Sequence, residues 1–309
     1  MKKPFFTIIV VSYNPGNKLI ETVESIRKQS YCSYRILIKD GMSTDGSLDK
    51  LRAKYGIKGD SDEKGEISII ESCDNGIYHA MNIAASHLND MVMNARQEDE
   101  KKDGGEVKLL NAGERPSYVF FLNCGDTFRD GNVLRKVHDY ITDKIEKKGT
   151  TVPAIFYGDV YDCLTGNRVA SNPKIDDYAC YRHVPSHQAC FYDERLIYRN
   201  PFNLKYKVRA DYEQFLRCYY REKAQTYYIP VIVANYEGGG FSDVNRKLSE
   251  EERREIIRMY LPSAKIRKYD LLRVLTLSAL RTFLAENKLT AGLYNAIRSI
   301  AYRIKEKRN

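Results

Sequence analysis

Runs of apolar residues alternate with amphipathic segments along the first half of the chain. The runs at 6–11, 34–39 and 67–71 are rich in β-branched and aromatic residues, which predicts short buried strands. Apolar residues at helical spacing follow each run, which predicts a helix after every strand. Strands and helices that alternate in this way indicate βαβ units on a parallel sheet.

The stretch from Tyr118 to Leu122 predicts another buried strand, which stops at a polar corner. Asn123, Gly125 and Asp126 lie on that corner. Ligands of open α/β sheets bind at the carboxyl ends of strands, where a carboxylate beside a glycine can hold Mg²⁺ or Mn²⁺ through oxygen. An ordinary turn uses the same residue types, so this corner alone leaves a metal site and a plain turn as alternatives.

The rest of the pattern is less regular. A helix is predicted at 133–145 and a strand at 154–160, whereas the polar segment 88–117 indicates a surface insertion. Residues 162–236 are rich in tyrosine and show no clear period. The glycine run at 238–240 is either a flexible loop beside a site or a plain linker.

Positive charge is concentrated at the C-terminal end. The formal net charge of the 309 residues is +9, and residues 246–309 hold 16 Lys and Arg against 7 Asp and Glu. Apolar faces with basic flanks recur at 271–284 and 293–304, which is typical of helices that lie on an anionic membrane surface. Helices that pack on the domain with solvated charges are the alternative. The neutral remainder of the chain argues against nucleic acid as a partner.

The seven cysteines form no Cys-x-x-Cys pair and are odd in number, which argues against a zinc site and a disulfide framework. Reduced thiols fit a cytoplasmic protein. The apolar run after Met1, Lys2 and Lys3 imitates a signal peptide but lacks a small-residue cleavage site. No stretch is long and uncharged enough to span a bilayer. We therefore predict a cytoplasmic location, with the basic tail on the inner face of the plasma membrane.

Four segments, taken in order, resemble a known family. They are Thr7–Asn14, Lys39–Gly46, Asp74–Asn82 and Phe121–Asp126, and each lies at the end of a predicted strand. Each is a weak motif by itself. Together they resemble glycosyltransferase family 2, and most closely its branch in bacterial surface-polysaccharide synthesis, over about residues 5–242.

The resemblance implies a fold and a reaction. The fold would be GT-A, an α/β domain at 1–245 with a Rossmann-like nucleotide half and a mixed, mostly parallel sheet flanked by helices. Residues 246–309 would add a helical C-terminal extension. The reaction would be inverting transfer of a hexose or N-acetylhexosamine from a nucleotide-sugar donor, usually a UDP-sugar, to a saccharide acceptor. A lipid-linked acceptor would fit a tail that binds membranes.

The resemblance also implies roles for residues at the donor site. The nucleotide-sugar would be contacted by Ser12, Tyr13, Asn14, Asp40, Asp74, Asn82, Asn123 and Gly125. Of these, Asp40 would pair with the base of the nucleotide. Asp126 matches the last acid of the family's DxD-type metal motif, so it would hold Mn²⁺ or Mg²⁺ at the diphosphate.

Inverting transfer needs a base that removes the proton of the attacking hydroxyl. Asp211 matches the residue that serves as this base in the family, and Glu213 is the fallback. Without the resemblance, Asp211 reads as an acid at the start of a helix. His187, beside Gln188, would either assist at the phosphates or the acceptor, or be structural.

The chain departs from the family pattern at its metal motif, because Cys124-Gly125-Asp126 offers one carboxylate instead of two. His79 stands where the branch usually has Asp. Two other functions compete with this interpretation. A sugar nucleotidyltransferase would be expected to show a basic, glycine-rich loop near the first strand, but no Lys or Arg precedes Lys18 at that corner. A non-catalytic nucleotide-sugar-binding protein would not need the acids at 40, 126 and 211.

Overall fold

The computed structural model describes residues 4–62, 65–102, 117–148, 152–238 and 245–275. Strand and helix alternate in the first part, which consists of β1 (Phe6–Ser12), α1 (Lys18–Arg27), β2 (Tyr34–Asp40), α2 (Ser47–Tyr55), β3 (Ile67–Glu71), α3 (Ile77–Lys102) and β4 (Tyr118–Phe121). The next elements are β5 (Thr127–Phe128), α4 (Val133–Lys148), β6 (Ala154–Asp162), β7 (Asn167–Val169), α5 (Asp177–Arg182) and a 3₁₀ turn (His187–Ala189). The last are β8 (Cys190–Asp193), α6 (Glu194–Arg199), α7 (Ala210–Tyr220), β9 (Gln225–Tyr236), α8 (Arg246–Tyr260) and α9 (Ser263–Leu275).

The strands form one mixed sheet in the order β3-β2-β1-β4-β8-β6-β9-β5, with β7 paired to β6. The half made by β3, β2, β1 and β4 is parallel throughout. β8 is antiparallel to β4 and β6, whereas β9 is parallel to β6. The remaining antiparallel pairs involve the short strands β5 and β7. This arrangement confirms the predicted mixed α/β sheet.

The central strands are buried on both faces, which explains why their sequences are continuous apolar runs. All residues of β1 and β4 are buried, and so are the last five of β2. Phe120 of β4 stacks on Phe191 of β8 and on Phe128 of β5, with ring centroids 4.5 and 5.2 Å apart. The carboxyl ends of β1, β2 and β4 therefore meet at one edge of a rigid core, and the polar corners follow there.

The sequence pattern does not reveal β8 and β9. Pro230 interrupts the apolar run of β9, and a proline inside such a run argues against a strand, although residues 231–234 continue the run. Its pairing with β6 shifts register next to Gly158. A Cβ at Gly158 would lie 2.4 Å from the carbonyl oxygen of Val231, so glycine allows the two backbones to approach there.

Helix α3 is longer than the sequence indicates. The surface insertion is predicted to begin at residue 88, yet the helix continues to Lys102, and Leu88 and Val92 are buried. The prediction is wrong for this first part because the polar composition hides the helical spacing of the two apolar residues. Residues 103–116 lie outside the described part of the chain.

The chain divides into two compact units, Met1–Ile256 and Ile257–Asn309. The division falls inside α8, so residues 246–256 belong to the first unit and not to the extension predicted to begin at 246. All seven cysteines lie in the first unit and are free thiols.

In the second unit, helix α9 has no buried residue, and Leu271, Val274 and Leu275 are exposed. The amphipathic faces predicted at 271–284 and 293–304 lie, after Leu275, outside the described residues. No helix of the described ranges is long and apolar enough to cross a bilayer.

Candidate active site

Two cavities lie at the carboxyl ends of β1, β2 and β4. The first cavity has a volume of about 860 Å³, within the usual range of ligand sites, and its polar lining includes Ser12, Tyr13, Asn14, Lys18 and Asp74. The second cavity measures about 390 Å³ and its polar lining includes Tyr78, His187, Gln188, Arg209 and Asp211. Asn123 lines both cavities. The two cavities therefore meet at Asn123.

Asp40, at the end of β2, links the ends of β1 and β2 by hydrogen bonds. It is fully buried, and its carboxylate accepts hydrogen bonds from the Ser12 hydroxyl at 2.7 Å and from the N–H and hydroxyl of Ser43 at 2.6 and 2.7 Å. With both oxygens occupied and no exposed surface, Asp40 does not fit the predicted pairing with a nucleotide base. It instead orients Ser12, which lines the first cavity.

Asp74 lies on the wall of the first cavity, and a buried lysine balances its charge. Lys39 is fully buried and donates to Asp74 Oδ2 at 2.7 Å. It also donates to the carbonyl oxygens of Asp40 and Ser72 at 2.9 and 2.7 Å. These three acceptors use all three donors of the ammonium, so Lys39 has none left for a ligand. Asp74 is thus fixed in place with its carboxylate at the cavity wall.

Tyr13 and Asn14 lie at the mouth of the first cavity. Asn14 has a φ of +45°, its N–H donates to Ser43 Oγ at 2.8 Å, and its side-chain oxygen accepts from the Thr44 N–H at 2.8 Å. Tyr13 is 69% exposed, and its ring is so close to Gly41 that a Cβ there would be 3.1 Å from it. A fixed loop thus presents a flat aromatic surface, which can stack on a nucleobase.

Three polar side chains in contact with one another extend from Asn123, which lines both cavities, into the second cavity. Asn123 Nδ2 lies 3.2 Å from His187 Nε2, and His187 Nδ1 lies 3.3 Å from Asp211 Oδ2. Asn123 Oδ1 is buried and has no hydrogen-bond partner among the described residues. Such an oxygen costs about 1–3 kcal/mol, and a donor group of a ligand at this wall would remove that cost.

Asp211 lies at the start of α7, where one of its carboxylate oxygens accepts two hydrogen bonds and the other has one longer contact. Oδ1 accepts from the Tyr78 hydroxyl at 3.0 Å and from the Tyr212 N–H at 2.8 Å, whereas Oδ2 has only the longer contact with His187. The side chain is 27% exposed. Burial opposes ionisation, but the hydrogen bond and charge of His187 outweigh it and lower the pKa of Asp211. Asp211 is therefore an ionised carboxylate that a hydroxyl in the second cavity can reach.

The chain shows sequence similarity to known enzymes over most of its length. Residues 7–92 match the family described as glycosyl transferase family 2. The PGL/p-HBAD biosynthesis glycosyltransferase of Mycobacterium bovis is 28% identical over 247 residues, which are 79% of this chain and 81% of the relative. By these matches the chain is similar to glycosyltransferase family 2. TuaG of Bacillus subtilis, named for teichuronic acid biosynthesis, is 29% identical over 136 residues, 43% of this chain and 52% of TuaG.

Solved structures show the same fold at low sequence identity. Residues 1–349 of Staphylococcus aureus TarS in complex with UDP-GlcNAc give a TM-score of 0.57 at 16% identity, covering 92% of this chain and 76% of that one. The mannosyltransferase PcManGT of Pyrobaculum calidifontis, in complex with GDP-Man and Mn²⁺, gives 0.55 at 14% identity, covering 100% and 83%. The fold is GT-A, as the family resemblance implies.

Asp126 does not fit the metal-binding role that family 2 implies for it. It is 3% exposed, Oδ1 accepts from the Glu237 N–H at 2.9 Å, and Oδ2 accepts from the Gln188 side chain at 3.3 Å. Burial raises the pKa of Asp126 despite these hydrogen bonds. Within the described ranges, no group of three His, Cys, Asp or Glu side chains is placed to hold a metal ion.

Two more of the predicted site residues, Asn82 and Glu213, contribute to the fold and do not line the cavities. The Asn82 side chain pairs with the backbone of Phe202, accepting from its N–H at 2.7 Å and donating to its carbonyl oxygen at 2.8 Å. Glu213 is 4% exposed and forms an ion pair with Arg217 at 2.9 Å. Neither residue lines either cavity, so a donor contact for Asn82 and a base role for Glu213 do not fit.

Tyr78 is a site residue that sequence reasoning missed. Its hydroxyl lies 3.0 Å from Asp211 Oδ1 and 2.9 Å from the carbonyl oxygen of Val208. Burial, reinforced by the charge of Asp211, raises the pKa of Tyr78 well above its usual value, so the hydroxyl stays protonated. Tyr78 lies within the segment Asp74–Asn82, which follows the end of a strand, and this position in the sequence could have indicated a site residue.

Glu252 of α8 was also missed, and it holds the loop that leads to Asp211. The carboxylate is 7% exposed and accepts from the N–H groups of Lys207, Val208 and Arg209 at 2.8, 3.0 and 2.9 Å. Hydrogen bonds to an ionised acceptor are stronger than neutral ones. Three of them from consecutive residues fix the loop immediately before α7.

Proposed function

We propose that this enzyme transfers a sugar from a UDP-sugar to a saccharide hydroxyl, with inversion at the anomeric carbon. The observation that carries the proposal is the meeting of the two cavities at Asn123, with Asp211 on the far side of it. The nucleotide-sugar occupies the first cavity, with its base against Tyr13. The acceptor occupies the second cavity, and its hydroxyl attacks beside Asn123.

Asp211 is the base of this reaction. The acceptor oxygen bonds to the anomeric carbon as its proton passes to Oδ2, and UDP leaves with the electron pair of the broken bond to that carbon. A positioned base of this kind contributes about 10²–10⁴-fold. Tyr78 holds Oδ1 through its protonated hydroxyl, and His187 holds Oδ2 on the side of Asn123. Both residues position the base and do not need to exchange protons with the substrate.

The choice of donor and acceptor is supported by the relatives. TarS was solved with UDP-GlcNAc, which supports a UDP-N-acetylhexosamine, and a UDP-hexose is the alternative. The relatives named for PGL/p-HBAD and teichuronic acid biosynthesis support an acceptor in cell-surface glycan synthesis, which we propose to be lipid-linked. A panel of UDP-, GDP- and dTDP-sugars tests the donor by release of free nucleotide, with calorimetric affinity measured in parallel. A UDP-sugar should be preferred over the other donors, and preference for a GDP- or dTDP-sugar would contradict the proposal.

Replacing Tyr13 by Ala should weaken donor binding about tenfold or more. Stacking of a base on an aromatic side chain contributes about 1–3 kcal/mol, and 1.4 kcal/mol corresponds to a factor of ten. Because Tyr13 is 69% exposed, its truncation leaves the core intact. Calorimetric titration with UDP measures the change, and Tyr13→Phe, which keeps the ring, should bind as the wild type does. Equal affinity of Tyr13→Ala and wild type would show that the base lies elsewhere.

The basic second unit should bind anionic bilayers and bring the enzyme to a lipid-linked acceptor. Arg267 and Lys268 lie one turn of α9 before the exposed Leu271, and Val274 and Leu275 are exposed one turn after it. Each basic residue near an anionic surface adds about 1 kcal/mol. The double variant Arg267→Gln/Lys268→Gln should sediment less with phosphatidylserine-containing vesicles than the full wild-type chain. The matched pair Lys50→Gln/Lys58→Gln should sediment like the wild type. Equal sedimentation of the wild type with anionic and neutral vesicles would refute attraction of the basic residues to an anionic surface.

A further inference from the structure

The space above Gly125 is occupied by an ion pair. Gly125 has a φ of +104°, and a Cβ at this position would lie 2.5 Å from Glu237 Oε2 and 3.6 Å from Lys18 Cδ. Glu237 and Lys18 form an ion pair, and both side chains are about half exposed. The space beside Gly125, the middle residue of the motif Cys124-Gly125-Asp126, is therefore filled by the carboxylate of Glu237, just after β9, and by the lysine at the start of α1.

Hydrogen bonds of the buried Asp126 help to position the two residues of this ion pair. Its Oδ1 accepts from the backbone N–H of Glu237 at 2.9 Å, which fixes the position of residue 237 relative to the corner. The Thr22 hydroxyl, one turn of α1 after Lys18, donates to the carbonyl oxygen of Asp126 at 2.9 Å and accepts from the Gly125 N–H at 3.0 Å. The same buried contacts thus hold both α1 and the end of β9 against the corner.

Lys18 is the basic side chain at this corner that can bind an anionic ligand. Among the described residues that line the first cavity, it is the one basic side chain. Lys39 is close by but fully buried, and its three donors are used. The hydrogen bond and charge of Glu237 raise the pKa of Lys18, so the ammonium stays charged at neutral pH.

We propose that Lys18 supplies the positive charge that the donor diphosphate requires, and that donor binding proceeds without a divalent metal ion. The inference rests on the proposed function, because it concerns the diphosphate of the UDP-sugar. Glu237 holds the ammonium in place in the free enzyme. A phosphate oxygen then replaces the Glu237 carboxylate as the partner of Lys18, one oxyanion for another, and no bond is made or broken.

Calorimetry with UDP and with uridine tests this proposal on the full chain. Wild-type enzyme should bind UDP with the same affinity in EDTA and in Mn²⁺. Lys18→Met should weaken UDP binding about 10- to 100-fold, the range expected for one hydrogen bond to a charged group, and leave uridine binding unchanged. Lys18→Arg should retain most of the UDP affinity. Lys28→Met, at the exposed other end of α1, is the matched control and should bind UDP as the wild type does.

Glu237→Gln separates the two roles that Glu237 could have. As a competitor for Lys18, its neutralisation should leave UDP binding equal or tighter in EDTA; as a metal ligand, its neutralisation should weaken binding in Mn²⁺. UDP binding that is lost in EDTA and restored by Mn²⁺, or that is unaffected in Lys18→Met, overturns the role of Lys18 alone. Wild-type enzyme that binds neither UDP nor uridine overturns the proposed function itself, and this inference with it.

Discussion

Replacing Asp211 by Asn is expected to lower the rate of sugar transfer by about 10²–10⁴-fold and to leave donor affinity unchanged. The amide cannot take the proton of the acceptor hydroxyl, whereas the first cavity, where the donor binds, does not include Asp211. An Asn side chain can still accept from the Tyr78 hydroxyl and the Tyr212 N–H through its oxygen. The turnover number for transfer and the calorimetric affinity for the donor, measured on the same preparation, show whether the two effects separate.

Glu213→Gln is the matched control for this variant. Glu213 lies two residues further along α7, is 4% exposed and forms an ion pair with Arg217 instead of lining a cavity. Its replacement should cost stability and leave transfer by the folded protein close to the wild-type rate. Full turnover by Asp211→Asn, or a transfer defect confined to Glu213→Gln, would show that the base has been misassigned.

The pKa of Asp211 also sets an expectation for pH. The value lies below the ordinary 3.8, because the hydrogen bond and charge of His187 outweigh burial. A depressed carboxyl pKa contributes stability that is present above the unfolded-state pKa and is lost as the pH falls through the folded-state value. Because its pKa lies below 3.8, Asp211 is ionised near neutral pH, and its ionisation should not limit the rate of sugar transfer there.

Replacing Glu252 by Ala is expected to lower the transfer rate about 100-fold, although Glu252 lines neither cavity. It would leave three N–H groups of residues 207–209 without their acceptor, and that of Val208 is fully buried. One unpaired buried donor costs about 1–3 kcal/mol, and a shift of about 1 Å at a catalytic group can cost about 10²-fold. The turnover number and the midpoint of urea unfolding measure the two consequences.

The control for Glu252 is its neighbour in α8. Glu251 is exposed, so Glu251→Ala should leave both the rate and the unfolding midpoint close to wild type. Donor affinity should be the same in both variants, because residues 207–209 line only the second cavity. A Glu252→Ala variant with an unchanged rate would mean that the loop before α7 is held by other contacts.

The edge of the sheet that carries the site could be predicted from the sequence, and so could several of its residues. β1, β3 and β4 are short, mostly apolar runs followed by polar residues, and this pattern placed Ser12, Asp74 and Asn123 at the edge of the sheet where all three line the first cavity. The position of a residue after a strand does not tell which of its atoms are already hydrogen bonded. Asp40 and Asp126 are at the predicted corners, but both carboxylates are buried and accept hydrogen bonds from neighbouring residues.

Other parts of the site depend on contacts between distant segments. Glu252 reaches residues 207–209 from more than forty positions further along the chain, and no local pattern encodes that pairing. The ion pair between Lys18 and Glu237 joins α1 to the residue that follows β9. Pro230 interrupts the apolar run of β9, so the sequence pattern did not predict this strand. Such contacts arise from the packed fold, so the sequence pattern could not show them.

Calorimetric titration of UDP into the wild type, Gly41→Val and Asp211→Asn tests the central claim that the donor occupies the first cavity and the base faces it from the second. A Cβ on Gly41 would lie 3.1 Å from both Asp74 Oδ2 and the Tyr13 ring, so valine narrows the first cavity between them. Gly41→Val is expected to lose UDP binding while folded, and Asp211→Asn is expected to bind UDP like the wild type. Folded Gly41→Val that binds UDP with wild-type affinity would contradict it.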